Sequence, residues 1–190
     1  MSLLIIGLIL LLGVHSISIV APGLRDRARA AIGNGPWRGA YALISLAGFV
    51  LICYGFALAR LTPVVLYTPP LWLRHVTFLL MLPVFPLIIA AYLPGRIKTA
   101  TKHPMLVAIK CWAFAHLLAN GLLADVLLFG GFLVWAVADR ISLKRRPRQL
   151  IRSGPTGRWN DAIAIVLGLA IYALFIGWAH VRLFGVSPLG

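Results

Sequence analysis

Acidic side chains are nearly absent from this sequence, which has four aspartates and no glutamate among its 190 residues. Three of the aspartates, Asp26, Asp139 and Asp161, flank basic segments, where we expect them to pair with a cation or to cap a helix. Asp125 is then the one carboxylate expected within an apolar bundle. This scarcity excludes a hydrolase that uses two carboxylates, and a Ca²⁺ or Mg²⁺ site that needs several oxygen ligands.

Cysteine and charge are also scarce. Cys53 and Cys111 both lie in apolar segments and form no C-x-x-C pair, so neither a disulfide framework nor a thiolate metal site is expected. Charged residues make up 12% of the chain and hydrophobic residues 61%, with a mean hydropathy of +0.95. These values exclude a soluble globular domain and predict an integral membrane protein.

Long apolar segments predict the membrane spans, each of which needs about 20 mostly apolar residues. Four segments meet this requirement, at residues 3–21, 39–59, 71–93 and 162–184. The apolar segment 104–138 is too long for one span, and the turn dipeptide Asn120-Gly121 near its middle predicts two short ones. We therefore expect an all-α fold, a polytopic bundle of about six transmembrane helices forming a single domain over residues 1–190. Pro83 and Pro86 should kink the third span.

The basic residues predict the orientation of this bundle. The net charge is +14, and fifteen of the 18 lysines and arginines follow the first, third or fifth predicted span. The other three are Arg60, Arg74 and Arg182. Because lysine and arginine accumulate on the cytoplasmic side, both termini are predicted to lie outside. The first span has no basic residue before its apolar core, so we expect an uncleaved anchor and not a signal peptide.

The most basic loop reads SLKRRPRQLIRSGPTGR, over residues 142–158. Clustered lysine and arginine attract polyanions, so phosphate, lipid and nucleic acid are all conceivable ligands. The loop has no phosphate-binding glycine motif and no aromatic residues alternating with its cations, which argues against nucleic acid. We expect it to fix the topology and to contact anionic headgroups of the lipid bilayer.

Ionisable residues within the bilayer are the candidates for function, because hydrocarbon normally excludes them. Those within or near the predicted spans are His15, His75, His103, Lys110, His116, Asp125 and His180. Neutral imidazole is a common ligand of haem iron, and the largely apolar haem can be bound between apolar helices. Counting residues from the ends of the predicted spans, at 1.5 Å per residue, places His15 and His103 in the inner half of the membrane. The other three histidines fall in the outer half. The two sets are therefore not expected to share one iron.

Across the predicted turn at Gly121, Asp125 should return close to His116. We expect His116, Asn120 and Asp125 to form a hydrogen-bonded group, because an unpaired aspartate within hydrocarbon costs several kcal/mol. The alternative for any single histidine here is structural, a hydrogen bond to a neighbouring helix.

Two stretches of the sequence are similar to a known family. They are LLGVHSISIVAPGLRDRARAAIGNGPWRGAYALISLAG, near the first hairpin, and TKHPMLVAIKCWAFAHLLANGLLADVL, in the fourth and fifth spans. The chain resembles the NnrU family over essentially its whole length. That family includes bacterial proteins associated with denitrification and with nitrite and nitric oxide, and the related 15-cis-ζ-carotene isomerases. The resemblance implies a haem b protein of the bacterial inner membrane, with respiratory denitrification proteins as partners and a redox or isomerase-type activity at the haem.

The resemblance also implies roles for particular residues. The V-H-S motif of the isomerases falls on His15, which is implied to be the iron ligand, and their R-H-P and A-H motifs fall on His103 and His116. Apart from the resemblance, Lys110 is expected either to neutralise a haem propionate or to extend its ammonium group to the membrane surface as an ordinary membrane lysine. The isomerases carry a further histidine before the Asp-Arg pair of the fifth span, where this chain has Gly130 and Gly131 and no histidine. The opposite face of the iron is therefore expected to be open or weakly ligated, with His103 as an alternative sixth ligand.

An open iron would take a diatomic ligand. The kink in the third span is expected to serve helix packing, with a lateral opening for a small lipophilic ligand as the alternative. Two other functions fit the sequence. The KHPML segment resembles the R-H-P-x-Y element with which small membrane methyltransferases, such as the isoprenylcysteine carboxyl methyltransferases, hold S-adenosylmethionine. A non-catalytic assembly protein for respiratory complexes would need no cofactor. A haem absorption band in the purified protein would separate the first function from the other two.

Overall fold

The computed structural model of the chain describes residues 1–145 and 154–189. Arg146, Arg148 and Arg152 of the basic loop lie outside the described residues. The described part is helical, as the sequence predicts, apart from one isolated antiparallel bridge between Val65 and Leu122. Its helices are α1 Ser2–Val20, α2 Pro22–Ile32, α3 Asn34–Ala59, α4 Leu73–Met81, α5 Val84–Tyr92, α6 Arg96–Thr101, α7 Pro104–Ala119, α8 Leu123–Ser142, α9 Asn160–Leu174 and α10 His180–Phe184, with a π-helical segment Phe175–Ala179 between the last two.

Within the described residues, four helical segments are long and apolar enough to cross a membrane. They are Ser2–Val20, Asn34–Ala59, Leu73–Tyr92 and Asn160–Phe184. Each coincides with one of the four long apolar segments of the sequence, which supports a membrane protein. The helix Pro104–Ala119 is apolar but shorter. The total of about six spans stays a prediction.

The long apolar segment after Pro104 is divided into two helices, as the Asn120-Gly121 dipeptide predicts. Helix α7 ends at Ala119 and α8 begins at Leu123. The carbonyl of Gly121 accepts hydrogen bonds from the amides of Leu66 and Tyr67, at 2.9 and 3.2 Å. A Cβ atom at residue 121 would overlap the carbonyl of Tyr67, so only glycine fits here. The break between the helices is thus held by the preceding loop.

The third predicted span is interrupted at Pro83, which confirms the expected kink there. Helix α4 ends at Met81 and α5 begins at Val84. Pro83 has no amide hydrogen, so the helical hydrogen-bond ladder cannot continue through it. Pro86 lies in the first turn of α5, where proline is tolerated, and its ring packs closely against Gly168 of α9.

The chain divides into two compact units, each described here by itself. The first comprises Met1–Pro69 and Asn120–Arg146 and contains α1, α2, α3 and α8. Helix α1 runs antiparallel to α3. Gly7 lies against Gly48 and Ile52, and Leu4, earlier in α1, lies against Gly55, later in α3. Helix α8 runs parallel to α1, with Gly131 next to Leu8 and Leu12 and Trp135 next to His15.

The second unit comprises Pro70–Ala119 and Pro147–Gly190. Its apolar core includes Val84, Leu87 and Ala108. Two hydroxyl groups bridge its helices: Thr77 Oγ1 donates to the carbonyl of Ala115 at 3.0 Å, and the Tyr172 hydroxyl donates to the carbonyl of Phe78 at 3.0 Å. Such bonds matter within a membrane because no water is available to satisfy a polar group there.

Two of the flanking aspartates have the roles expected of them. Asp161 accepts hydrogen bonds from the amides of Arg96 and Ile97, at 2.8 and 3.1 Å, and so caps the start of α6. Asp26 pairs with Arg25 at 2.7 Å on the surface of α2.

The close contact between α1 and α3 depends on Gly7. A Cβ atom on Gly7 would lie 2.6 Å from the amide nitrogen of Ile52 and 2.8 Å from the carbonyl oxygen of Gly48, neither of which can move without shifting α3. We expect Gly7→Ala to lower the free energy of unfolding by about 1–3 kcal/mol, the usual cost of overpacking. Gly13→Ala in the same helix is the control, because a Cβ there has no atom within 4 Å. Thermal unfolding in detergent measures both, and equal melting temperatures would contradict the close contact.

Candidate functional site

His15 lies on α1, five residues before the helix ends at Val20. Its Nδ1 atom lies 2.7 Å from the carbonyl oxygen of Leu11, one turn earlier. Because a carbonyl only accepts, Nδ1 must carry the proton, and the lone pair of the neutral ring is then on Nε2. Within the described residues Nε2 makes no hydrogen bond. The local helix thus fixes both the tautomer and the orientation of this imidazole.

Two aromatic side chains of the first unit flank His15. The ring of Tyr41, on α3, lies 5.1 Å from the imidazole centroid, and that of Trp135, on α8, lies 6.0 Å away in an edge-on arrangement. We call His15, Tyr41 and Trp135 the His15 cluster. It brings together one residue from each of the three long helices of the unit.

The indole nitrogen of Trp135 is buried and has no acceptor within the described residues. A buried donor that lacks a partner costs about 1–3 kcal/mol, so such groups usually mark a ligand, a water molecule or a strained site. The His15 cluster therefore combines a ring nitrogen with a lone pair, an unsatisfied N–H donor and two aromatic surfaces.

Helix α8 has little side-chain volume beside this cluster. Gly131 precedes Trp135 by four residues and therefore shares its face of the helix. A Cβ atom on Gly131 would be in ordinary contact with Leu12, at 3.5 Å, and one on Gly130 would have no atom within 4 Å. Asp139 follows Trp135 by another four residues, and its charge acts on the hydroxyl of Tyr41. The polar end of the cluster thus lies toward the end of α8.

The second unit contains the other candidate histidines. His116 Nδ1 lies 2.8 Å from the carbonyl oxygen of Trp112, whose ring is 5.5 Å from the imidazole. His180 follows the π-helical segment directly, and its Nδ1 lies 2.7 Å from the carbonyl oxygen of Val186.

His103 and Lys110 also belong to the second unit. His103 follows Lys102, which has an unusual positive φ of 61°, and precedes the fully buried Pro104 at the start of α7. Lys110 is half-buried two turns further along α7. A cofactor-binding role of His103, Lys110 or His116 stays a prediction.

Asp125 is buried near the start of α8. Its carboxylate accepts a hydrogen bond from the amide of Leu122 at 3.0 Å and so satisfies one of the unpaired amides at the helix start. The nearby Tyr67 hydroxyl donates to the carbonyl of Asn120 at 2.8 Å. Burial and the Asp125 charge raise the pKa of Tyr67 above its usual value, so the phenol stays neutral and able to donate. The link from this group to His116 stays a prediction.

Within the described residues, no three histidine, cysteine or aspartate side chains are grouped so that they could hold a metal ion by themselves. Haem does not need such a group, because the porphyrin supplies four of the iron ligands and the protein one or two.

Sequence reasoning missed Tyr41 and Trp135. The available signal was a spacing of four residues, which places Gly131, Trp135 and Asp139 on a shared face of α8. Tyr41 could be found only with the register of α1 against α3, which depends on where the glycines of the two helices meet.

A family described as NnrU protein matches residues 3–188, nearly the whole chain. The chain belongs to the NnrU family. The resemblance seen in the sequence is therefore confirmed, and at family level NnrU membership supports a denitrification-associated membrane protein. No curated protein and no solved structure matches the chain significantly.

The hydrogen bond from Leu122 to Asp125 predicts a stability effect. Asp125→Ala leaves that amide without its acceptor, and loss of such a helix-start contact typically costs about 0.5–2 kcal/mol. Asp125→Asn retains a side-chain oxygen that can accept the same bond, so we expect it to lose less. Melting temperatures of the purified variants measure both effects. A parent-like Asp125→Ala would show that the carboxylate does not stabilise the start of α8.

Proposed function

We propose that this NnrU protein is an integral membrane haem b protein that supports nitrite and nitric oxide metabolism, with His15 as an axial ligand of the iron. The observation that carries the proposal is the buried indole N–H of Trp135, which lacks an acceptor and lies beside His15, an imidazole whose Nδ1 is held by the carbonyl of Leu11. Ligating histidines commonly donate one ring N–H to a carbonyl, which orients the ring and leaves the other nitrogen for the metal.

The residues of the His15 cluster suit a haem. Nε2 of His15 offers the lone pair, and the rings of Tyr41 and Trp135 offer an apolar boundary for a porphyrin. The buried indole N–H of Trp135 needs an acceptor, and a propionate carboxylate is a suitable one. A bound haem would supply an iron able to take a diatomic molecule such as nitric oxide.

Gly130 and Gly131 favour an iron that is open to an external ligand over an electron-transfer haem whose iron is held by two histidines. The stretch of α8 beside the cluster carries no imidazole, so α8 has no histidine to offer the iron there. The proposal keeps His103, His116 and Lys110 as further cofactor-binding residues, with His103 as the alternative second ligand. Of these, Lys110 would neutralise a propionate.

We propose in addition six spans in the bacterial inner membrane, with both termini outside. Alternating spans require the first and second to run antiparallel, and the first and fifth to run parallel. In the first unit α1 is antiparallel to α3 and parallel to α8, which supports this order. The division of basic residues supports the orientation.

The haem assignment is tested with His15→Ala. We expect the purified variant to lose most of its haem, because the ligating nitrogen is gone. Haem content per protein, measured from the Soret band and from extracted haem, is the readout. His180→Ala is the control, because His180 is not placed at the haem. Trp135→Phe should bind haem more weakly, since it keeps the ring and loses only the donor.

Three outcomes would contradict the assignment. A parent protein without a Soret band, prepared with adequate haem supply, would favour the methyltransferase or assembly function. Full occupancy with an unchanged spectrum in His15→Ala would remove His15 as the ligand. Loss of haem in His116→Ala alone would move the cofactor to the second unit.

Reporter fusions test the topology. A phosphatase that is active only outside the cytoplasm should be active when fused after Gly190 and inactive when fused after Lys144, and a fluorescent protein that folds only in the cytoplasm should give the opposite pattern. The reason is that the basic segment after α8 is expected to stay inside. A C-terminal fusion that is active only in the cytoplasm would contradict the six-span orientation.

A further inference from the structure

Among the four helices of the first unit, α2 is the one without a buried residue. It connects α1 to α3. Its largest apolar side chains, Leu24 and Ile32, are 59% and 51% exposed. An isolated helix of 11 residues is marginal in water, so a surface that covers its apolar face would stabilise it.

The residues of α2 are distributed as in a membrane-surface helix. At 100° per residue, Leu24, Ala28 and Ile32 fall on one face. Arg25 and Arg27 fall on the two borders of that face, where an arginine can keep its stem in the apolar region and its charge in the headgroups. Asp26 lies on the opposite side. The apolar face is small and flat, because alanine lies between its two larger residues.

The position of α2 along the chain also fits the membrane boundary. It begins at Pro22, directly after the apolar α1 ends at Val20. Helix α3 has 26 residues and is about 39 Å long, which exceeds the roughly 30 Å hydrocarbon core. Its first turns, with Trp37 and Arg38, can therefore lie among the headgroups, where such residues are typical. Helix α2 lies between these two helix ends.

We propose that α2 lies in the plane of the membrane, with its apolar face in the part of the acyl region nearest the headgroups. Arg27 and Arg29 then bind the headgroups of anionic phospholipids, while Arg25 is paired with Asp26. Arg27 Nε donates to the carbonyl of Gly23 at 3.3 Å, and Arg29 Nε donates to the side chain of Asn34. Each contact uses one of the five N–H donors of a guanidinium and orients the remaining ones, which suit phosphate oxygens.

Charge favours lipid over a second copy of the chain. Residues 22–32 carry three arginines and one aspartate. Pairing of two such faces would bring like charges together, whereas an anionic bilayer surface is complementary to them. The proposal is independent of haem binding, because no residue of the His15 cluster takes part.

Spin labels on opposite sides of α2 test its placement. Ala28→Cys is on the apolar face and Ala30→Cys is about 200° away around the helix, each in a background with Cys53→Ala and Cys111→Ala. In lipid nanodiscs we expect the label at residue 28 to be accessible to oxygen and the label at residue 30 to a water-soluble nickel reagent. Equal exposure of both to nickel would overturn the proposal. Dipolar coupling between labels at residue 28 of two copies would also overturn it, in favour of self-association.

Lipid retention tests the headgroup class. The full chain, in mixed phosphatidylglycerol and phosphatidylcholine nanodiscs, should retain phosphatidylglycerol preferentially in native mass spectrometry. Each arginine near an anionic surface contributes about fivefold to binding, so Arg27→Gln should reduce that preference severalfold and the double variant Arg27→Gln/Arg29→Gln more. Arg27→Lys should keep it, and Arg182→Gln, outside α2, is the matched control.

An unchanged preference in both Gln variants would overturn the proposal, as would equal retention of the two lipids by the parent chain. The single Gln variant and the spin labels decide the question if the double variant does not fold. The melting temperature of each variant identifies that case.

Discussion

Close contact between α1 and α3 is the constraint on which the first unit depends. Gly7 and Gly48 face each other, and Gly55 lies against the start of α1, so the two backbones approach more closely than ordinary side chains permit. In a membrane, where lipid is as apolar as leucine, such contact between small residues is a principal source of helix association. It also fixes the register of the two helices, and that register places Tyr41 beside His15.

Polar groups within the described part of the bundle are satisfied locally, and this distinguishes the Trp135 nitrogen. The Thr77 hydroxyl bridges two helices, Asp125 accepts the amide at its own helix start, and His15 and His116 each bond to a carbonyl one turn earlier. This is the pattern that hydrocarbon imposes, because an unpaired group costs more there than at a protein surface. Trp135 departs from it next to an imidazole with a lone pair, which is why the His15 cluster is the best candidate site.

Much of the fold could be predicted because it depends on local sequence. Runs of apolar residues give the four long spans, Asn120-Gly121 gives the break before α8, and Pro83 gives the interruption of the third span. The candidate site could be predicted only in part. His15 stands out because imidazole is rare in hydrocarbon, whereas Tyr41 and Trp135 look like ordinary membrane aromatics. Their selection requires the packing of three helices, which involves long-range contacts that no local pattern encodes.

The π-helical segment before His180 has a consequence for the way this helix is compared among related chains. A π-turn accommodates one residue more than an α-turn, so every position after it is rotated by about 100° relative to a continuous α-helix. A related chain with one residue fewer between Phe175 and Ala179 and a continuous α-helix would therefore present the same face from that point onward, because the missing residue and the missing π-turn compensate. An alignment gap there would leave the orientation of the counterpart of His180 unchanged, whereas a continuous α-helix of equal length would rotate that counterpart by about 100°.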